Sequence, residues 1–261
     1  ISMENDLREA INKDELILYY QPIIHHPSMR IEGFESLLRW NRNGSIVSPA
    51  DFIPLAEKTQ LIVPIGEWII HAACAQAKIW QALTPEPTFV SVNVSAVQFT
   101  HSSVLQILAD TLHKTGLAAG CLKVELTEAA VMDDVQKSIK TLNKIKEMGV
   151  KISIDDFGTG YSSFNYLRKF PIDIVKIDRS FVLTVPHDHK DTQLLLGILC
   201  IVQNLGYEVV VEGIEHEALQ QFLLQHHCEY SQGYLFSKPQ NFTSLLEYLM
   251  ELSPQVRASG E

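Results

Sequence analysis

The sequence has few cysteines, and none of them belongs to a Cys-x-x-Cys pair. Cys74, Cys121, Cys200 and Cys228 lie far apart in a chain of 261 residues. This spacing is typical of thiols in a reducing compartment and argues against a disulfide framework. No apolar run reaches the length of a membrane-spanning helix, and no signal peptide is visible. The sequence therefore predicts a cytoplasmic domain that makes no membrane contact of its own.

Basic residues are also scarce. The chain has 21 Lys and Arg against 31 Asp and Glu, which gives a formal net charge of -10. An acidic chain binds the phosphate backbone of nucleic acids poorly, so we do not expect a nucleic-acid polymer as a partner. A small anionic ligand stays compatible with this charge if metal ions supply the positive charge.

Several catalytic motifs are absent. Gly158 and Gly160 lack the third glycine of a dinucleotide fingerprint, and no Walker loop occurs. His216 and Glu217 have no second histidine at helical spacing, which excludes a zincin. The function therefore has to come from another arrangement of polar residues.

Strand and helix patterns alternate along the chain. Only five residues separate the strands predicted at Leu16–Ile24 and Arg30–Trp40, too few for a parallel crossover, so these strands should pair antiparallel. Six further strands follow, most of them with a helix after them. This pattern predicts an α/β fold, a TIM-like (β/α)8 barrel with the first strand antiparallel, and a doubly wound open sheet is the alternative. We assign residues 1–261 to a single domain, with a leading helix within 1–13 and a frayed tail over 253–261.

The longest predicted helix covers about residues 64–83. Trp68, Ala72, Ala75 and Ile79 recur at helical spacing along it. We interpret this stripe as core packing and not as a binding surface.

Polar residues mark the ends of the predicted strands. Asp155 and Asp156 directly follow a strand, and neighbouring side chains on a strand point to opposite faces. Both can serve one site only if the chain leaves the strand there. The other polar residues at or near strand ends are Glu35, Asn93, Glu125, Lys176, Glu212 and Gln232. A barrel brings such ends to one face, whereas an open sheet would string them along an edge, and this favours the barrel.

An isolated acid at a strand end is more often a solvated group than a ligand. Four acids, an asparagine and a lysine on consecutive strand ends are harder to explain in that way. Several carboxylates in one cavity require cations, because like charges repel at short range. Oxygen ligands select hard ions such as Mg²⁺, Mn²⁺ or Ca²⁺. The residues alone therefore predict a site for hard metal ions.

The complete set of motifs resembles a known family. The matching segments cover about residues 4–251 and are Tyr20-Gln21-Pro22-Ile23, Glu35-Ser36-Leu37-Leu38-Arg39-Trp40, Asn93-Val94-Ser95, Glu125-Leu126-Thr127-Glu128, Ile154 through Ser163, Val175-Lys176-Ile177-Asp178, Val211-Glu212-Gly213-Ile214-Glu215 and Gln232-Gly233-Tyr234-Leu235-Phe236. They are similar to the EAL domain, the bacterial phosphodiesterase module for cyclic di-GMP. The resemblance implies metal-dependent hydrolysis of cyclic di-GMP to linear pGpG.

The resemblance implies two divalent metal ions, Mg²⁺ or Mn²⁺, with Ca²⁺ binding without supporting activity. The ligands of the first ion would be Glu35, Asn93, Glu125 and Asp155. The second ion would be held by Asp155 together with Asp156.

By the same resemblance, other residues would act on the substrate. Lys176 would steady the attacking water, Glu212 would be the general base or a further metal partner, and Gln232 would help to order the water. Gln21 and Arg39 match positions that touch the ligand, Arg39 through a phosphate.

Glu128 and the loop 156–163 resemble the element that couples the metal site to a dimer interface. We therefore expect Glu128 to anchor this loop and the domain to form a homodimer. A longer parent protein is expected, with an upstream sensor or signalling domain that could tether the domain to the inner membrane. The chain departs from the family signature at Ser36, where the family has alanine.

Two alternatives stay open at this point. A catalytically silent EAL domain would bind cyclic di-GMP as a receptor, although such relatives typically lose metal-binding acids that this chain keeps. An unrelated barrel hydrolase, such as a glycosidase with a carboxylate pair, would act without metal. Metal dependence separates the glycosidase from the phosphodiesterase.

Overall fold

The computed structural model describes residues 3–83, 88–159, 164–245 and 247. The strands are β1 Leu16–His25, β2 Arg30–Arg42, β3 Ser45–Val47, β4 Phe89–Asn93, β5 Leu122–Thr127, β6 Lys151–Phe157, β7 Ile174–Ile177, β8 Glu208–Val211 and β9 Tyr230–Ser231. The helices are α1 Met3–Glu9, α2 Pro49–Lys58, α3 Ile62–Leu83, α4 Ala96–Thr100, α5 Val104–Thr115, α6 Glu128–Met132, α7 Val135–Glu147, α8 Phe164–Leu167, α9 His189–Asn204 and α10 Glu217–Gln225. Short 3₁₀ turns occur at Ala119–Cys121 and Arg179–Phe181.

Eight of these strands close into a barrel. Their order is β1-β9-β8-β7-β6-β5-β4-β2, and the pairing of β2 with β1 closes the circle. β1 is antiparallel to both of its neighbours, while the remaining barrel pairs are parallel. The predicted TIM-like barrel with an antiparallel first strand is confirmed, and the open sheet is excluded. β3 extends β2 as an antiparallel hairpin and is not among the predicted strands.

The core-facing side of α3 differs from the predicted one. Its buried face is formed by Ile62, Ile65, Ile69, Ile70, Ala73, Cys74, Ala77 and Trp80. Trp68 and Ala72 are partly buried and pack against the core as predicted, whereas Ile79 is 49% exposed and Ala75 is not among the core-packed residues, so the predicted stripe is wrong at these two positions. α3 is apolar on most of its surface, and periodicity alone therefore did not select the face that packs on the barrel.

Two short helices turn the chain immediately after β4 and β5. Ser95 and Gln98 form a capping box at the start of α4, in which each side chain accepts a hydrogen bond from the backbone N–H of the other residue. At the start of α6, the Thr127 hydroxyl accepts a hydrogen bond from the Ala130 N–H at 3.3 Å. These caps fix where the two strands end and hence where their last side chains lie.

The predicted leading helix within 1–13 corresponds to α1, whereas the predicted tail 253–261 lies outside the described residues. Within the described ranges, no helix combines the length and the apolar character needed to cross a membrane. The assignment of the whole chain to one domain stays a prediction.

Candidate active site

Lys176 lies at the centre of a cluster of carboxylates inside the barrel. It points inward from β7, a strand whose four residues are all buried, and is itself 1% exposed. Its ammonium Nζ lies 2.6 Å from Glu125 Oε2, 2.7 Å from Glu212 Oε1, 3.2 Å from Glu35 Oε2 and 3.6 Å from Asp155 Oδ1. These acids come from four different strands or strand ends, as the barrel topology requires. The structure therefore brings together five of the residues predicted for the site.

A chain of amide groups holds this cluster in place. Asn93 Nδ2 donates to Glu35 Oε1 at 2.7 Å, and Gln232 Nε2 donates to Glu35 Oε2 at 2.6 Å. Gln232 Nε2 also lies 2.8 Å from Gln21 Oε1, and Gln21 in turn donates to the Ser237 carbonyl at 3.0 Å. Both glutamines are buried. Both oxygens of Glu35 are thus hydrogen-bonded, which fixes its direction in the barrel.

The charges in the cluster are coupled. Burial would lower the pKa of Lys176, but the surrounding carboxylates outweigh burial and hold this pKa well above its ordinary value. The pKa of Glu125 is raised to about 8, first by burial and then by Glu35 and Asp155. The pKa of Glu212 is raised to about 7, again first by burial. Burial would also raise the pKa of Glu35, but attraction to Lys176 and the amide hydrogen bonds bring it below its ordinary value.

Asp155 and Asp156 diverge at a bulge near the end of β6. Ile154 pairs with Val175 and Phe157 with Ile177, so β6 has one residue more than β7 over this interval. Asp156 takes up the difference with a φ of +54°, and its N–H donates to Asp155 Oδ1 at 2.9 Å. The bulge thus interrupts the regular alternation of side chains along β6 at these two residues.

The two aspartates consequently have different surroundings. Asp155 reaches Lys176, whereas Asp156 is exposed and is not among the carboxylates that contact this ammonium. Burial and the charges of Asp155 and Asp178 raise the pKa of Asp156. Asp156 therefore lies at the edge of the cluster and not in it.

Glu128 lies where the structure permits its predicted role as a loop anchor. Glu128 Oε2 accepts a hydrogen bond from the Gly158 N–H at 3.4 Å. Gly158 has a φ of +92°, and a Cβ there would come within 2.7 Å of the Phe181 ring, so glycine is required. The remainder of the predicted loop, residues 160–163, lies outside the described residues.

Arg39 is oriented by local contacts. Its Nη1 donates to the Leu38 carbonyl at 2.8 Å, and its guanidinium lies 5.3 Å from the centre of the Tyr19 ring. Arg39 is half-buried and makes no direct contact with the acids around Lys176 among the described residues. Its predicted contact with a phosphate stays a prediction.

A cavity of about 260 Å³ opens above the cluster. Its lining residues are Gln21, Glu35, Leu37, Asp155, Arg179, Glu212, Gly213, Glu215, Gln232, Gly233 and Tyr234. Arg179, Glu215 and Tyr234 have no predicted role, although the last two belong to matching motifs. They follow β7, β8 and β9 by two to four residues, so a search confined to strand ends passes over them.

The donor set can be compared with what a metal ion requires. Among the described residues, no group of three or more His, Cys, Asp or Glu side chains is arranged to hold a metal ion. The residues nevertheless fit a hard cation in type and charge, because four carboxylates face a single ammonium.

The fold and the site define an α/β-barrel protein with an acidic, oxygen-rich centre at the carboxyl ends of its strands. The EAL domain family matches residues 4–239, and the chain therefore belongs to the EAL domain family.

Named relatives share this domain. The bifunctional diguanylate cyclase/cyclic di-GMP phosphodiesterase MucR of Pseudomonas aeruginosa is 39% identical over 94% of this chain and 36% of its own length. The cyclic di-GMP phosphodiesterase NbdA of the same species is 38% identical over 100% of this chain and 34% of its own length. The chain thus spans about a third of the length of these curated relatives.

Solved structures agree in fold. The phosphodiesterase MucR in complex with c-di-GMP has a TM-score of 0.88 and 39% identity, over 92% of this chain and 98% of that one. The EAL enzyme Bd1971, bound to cAMP and cyclic di-GMP, has a TM-score of 0.89 and 37% identity, over 94% of this chain and 68% of that one.

Proposed function

We propose that this chain is a metal-dependent phosphodiesterase that hydrolyses cyclic di-GMP to linear pGpG. The observation that carries the proposal is the buried ammonium of Lys176 among four carboxylates, directly below an open cavity. The named activities of MucR and NbdA give the reaction and the substrate. A cyclic dinucleotide carries two phosphodiester anions, which need cations in a site as acidic as this one.

The metal ligands that we propose are those with oxygen donors in or beside the cluster. Glu35, Asn93, Glu125 and Asp155 would hold one Mg²⁺ or Mn²⁺, and Asp155 with Asp156 would help to hold a second. Bound cations of this kind neutralise phosphate charge and lower the pKa of a coordinated water. Ca²⁺ would fit the same oxygen donors and, by the family resemblance, would not support turnover.

Lys176 acts in this proposal as a permanent hydrogen-bond donor. Its raised pKa keeps it protonated, so it does not accept a proton from water. It can orient the attacking water and stabilise the negative charge that develops on the phosphate oxygens in the transition state.

Glu212 and Gln232 complete the proposed machinery at the cavity floor. Glu212 is partly accessible and has a pKa raised to about 7 by burial, which suits a group that accepts a proton near neutral pH. Gln232 is fixed by Glu35 and Gln21 and would hold the water in line. Gln21 and Arg39 would contact the bound dinucleotide, Arg39 through a phosphate.

Direct measurement of the product tests this function. The purified chain is incubated with cyclic di-GMP in Mg²⁺ or in EDTA, and nucleotides are separated by chromatography. We expect linear pGpG in Mg²⁺ and none in EDTA. Glu35→Ala is the matched inactive control. Binding of cyclic di-GMP without product in Mg²⁺ or Mn²⁺ would instead identify a silent receptor, and hydrolysis that persists in EDTA would refute metal dependence.

We further propose that the domain forms a homodimer through α9. Leu194 and Ile201 lie on one side of this helix, Leu205 directly follows it, and these apolar side chains are 53%, 38% and 38% exposed. Their spacing forms one continuous stripe. Sedimentation of the wild type and of Leu194→Glu tests this, since a dimer through α9 should dissociate in the variant. A dimer of unchanged strength would point to another surface.

The setting of the domain is proposed from its relatives. Because the chain spans about a third of their length, we propose that it acts in the cytoplasm within a longer protein that carries an upstream sensor or signalling domain. That domain could tether it to the inner membrane.

A further inference from the structure

A groove lies on the outer surface of the barrel between α3 and α5. Its volume is about 470 Å³, and its apolar floor is formed by Ala75, Ile79, Ala82 and Leu83 of α3. These residues share one face of the helix, away from the face that packs on the barrel. Ile79 is 49% exposed and Leu83 is 61% exposed. Two members of the stripe predicted as core, Ala75 and Ile79, thus line an open groove.

The borders of this groove are basic. Lys78 of α3 and Lys114 of α5 line it, and none of the lining residues that the structure describes is acidic. Both lysines are exposed, and neither ammonium forms an ion pair or a hydrogen bond with a described residue. Asp110, one helical turn before Lys114, accepts a hydrogen bond from another α5 side chain at 2.7 Å instead. The groove therefore presents positive charge beside an apolar floor.

The basic surface continues onto α7. α5 packs against both α3 and α7, and α7 carries the exposed residues Lys137, Lys140 and Lys144 on one face. The whole chain, by contrast, has a formal net charge of -10. Positive charge gathered on one flank of an acidic protein favours an acidic partner, because complementary charges speed association and exclude partners of the wrong sign.

The groove lies towards the opposite end of the barrel from the active-site cavity. α3 ends at Leu83, ahead of β4, and α5 ends at Thr115, ahead of β5, so the groove borders the amino-terminal ends of these strands. The cavity above Lys176 is at the carboxyl ends of the strands. A partner in the groove would therefore leave the cavity open.

The shape of the groove suits a helix better than a membrane. Ala75 and Ala82 have small side chains on either side of Ile79, and the space beside them can receive the anchoring side chains of an amphipathic helix. A lipid surface would instead require apolar side chains that protrude. We propose that this groove binds an acidic amphipathic helix of a separate protein, with the apolar face of that helix on Ile79 and Leu83 and its carboxylates beside Lys78. This interaction surface does not depend on the proposed function.

A designed helical peptide tests the groove directly. The probe has about five turns, a leucine face and glutamates along both borders of that face, and a second peptide has lysines in place of the glutamates. Binding to the whole chain is followed by fluorescence anisotropy of the labelled peptides. The wild type should bind the acidic peptide roughly tenfold more tightly than the basic one, and added salt should reduce this difference.

Ile79→Glu tests the apolar floor. It should bind the acidic peptide roughly 10- to 100-fold more weakly than the wild type, because an apolar contact is lost and a like charge is added. Ile46→Glu replaces a similarly exposed isoleucine on β3, away from the groove, and should bind as the wild type does.

Charge reversal tests the basic borders. Lys78→Glu combined with Lys114→Glu should reverse the preference, so that the basic peptide binds more tightly than the acidic one. Lys13→Glu combined with Lys58→Glu makes the same change in net charge at exposed lysines outside the groove and should keep the wild-type preference. This comparison also decides the matter if Ile79→Glu lowers the thermal unfolding temperature.

Contrary results would overturn the proposal. They are failure of the wild type to bind the acidic peptide at roughly 1 mM, and a charge-reversed variant that keeps the wild-type preference. Co-sedimentation with vesicles of phosphatidylserine and phosphatidylcholine that is lost in Ile79→Glu would assign the surface to a membrane. Dissociation of a wild-type dimer by Ile79→Glu would assign it to a second copy of the chain. Hydrolysis of cyclic di-GMP should be equal in the wild type and Ile79→Glu, so its absence from both would refute the proposed function but not the docking surface.

Discussion

Replacing Lys176 with methionine should destabilise the fold, because the carboxylates at the centre of the barrel lose their counter-charge. The substitution keeps a long side chain but removes an ammonium that lies within 3.2 Å of Glu125, Glu212 and Glu35. Removing one partner of a buried ion pair costs roughly 3–5 kcal/mol, because the remaining charge stays buried without compensation. In EDTA we therefore expect the free energy of unfolding to fall by about this amount. With a typical slope of roughly 2–3 kcal/mol/M, the urea midpoint should fall by about 1–2 M.

The loss of folding stability in Lys176→Met should depend on pH. In the folded variant Glu125 and Glu212 can bind protons in place of the missing ammonium, since burial already raises their pKa values to about 8 and about 7. The unfolded chain, with glutamate pKa values of about 4.3, binds no such protons near neutral pH. Stability contributed by these protons is present at low pH and is lost as the pH rises through the folded pKa values. The deficit of the variant should therefore be smaller at about pH 6 than at about pH 8.

Urea unfolding followed by tryptophan fluorescence in EDTA measures this deficit. Lys140→Met, which replaces an exposed lysine on α7, is the matched control and should behave as the wild type. Addition of Mg²⁺ should recover more stability in Lys176→Met than in the wild type, because a cation then replaces the lost charge. A Lys176→Met variant as stable as the wild type at about pH 8 in EDTA would refute the charge argument.

Three further outcomes are expected. Glu35→Ala and Asp155→Ala should each abolish formation of pGpG in Mg²⁺, because the proposed metal site loses an oxygen donor. Near wild-type rates in either variant, measured by chromatography, would contradict the metal assignment. Glu128→Gln should fold and bind cyclic di-GMP but lose most turnover and respond less to Mg²⁺, since the Gly158 N–H loses a charged acceptor. Unchanged Mg²⁺ dependence would argue against Glu128 as the anchor of the loop. Burial lowers the pKa of His26, so the free energy of unfolding of the wild type should fall as the pH drops below about 6.5. In urea unfolding, His26→Gln should lose less stability over the same pH range. Equal losses in the two proteins would show that His26 does not cause the acid sensitivity.

The residues at the cavity floor could be predicted because strand periodicity and barrel topology determine their positions. Side chains two residues apart on a strand share a face, and parallel strands end at the same rim. Glu125 lies opposite Asn93 in the β4–β5 register, and Gln21 lies opposite Glu35 in the β1–β2 register. Which groups contact one another did not follow, because the central contact of Lys176 depends on side-chain conformations that no periodicity specifies.

Local signals account for two of the differences between sequence and structure. Ser95 and Gln98 are three residues apart, which is the spacing of a capping box, so α4 could have been predicted from them. The face of α3 that packs on the barrel could not, since Trp68 and Trp80 lie on different sides of a helix that is apolar on both. In the folded chain the ring of Trp80 packs against Tyr20 on β1 and Phe34 on β2, with ring centres 4.8 Å and 4.5 Å away, and such contacts select the buried side.

Side chains at the rim of the cavity are positioned in a different way from those at its floor. This explains why Arg179 is not among the residues predicted for the site. A floor residue is fixed by its place in a strand, but Arg179 lies beyond β7, where periodicity has ended. Its direction is set by a contact between two loops, the packing of its stem on Gly213, and glycine is needed there for both space and backbone conformation. Sequence patterns within strands thus identify the groups at the floor of the cavity, whereas the positions of the groups at its rim depend on how neighbouring loops pack.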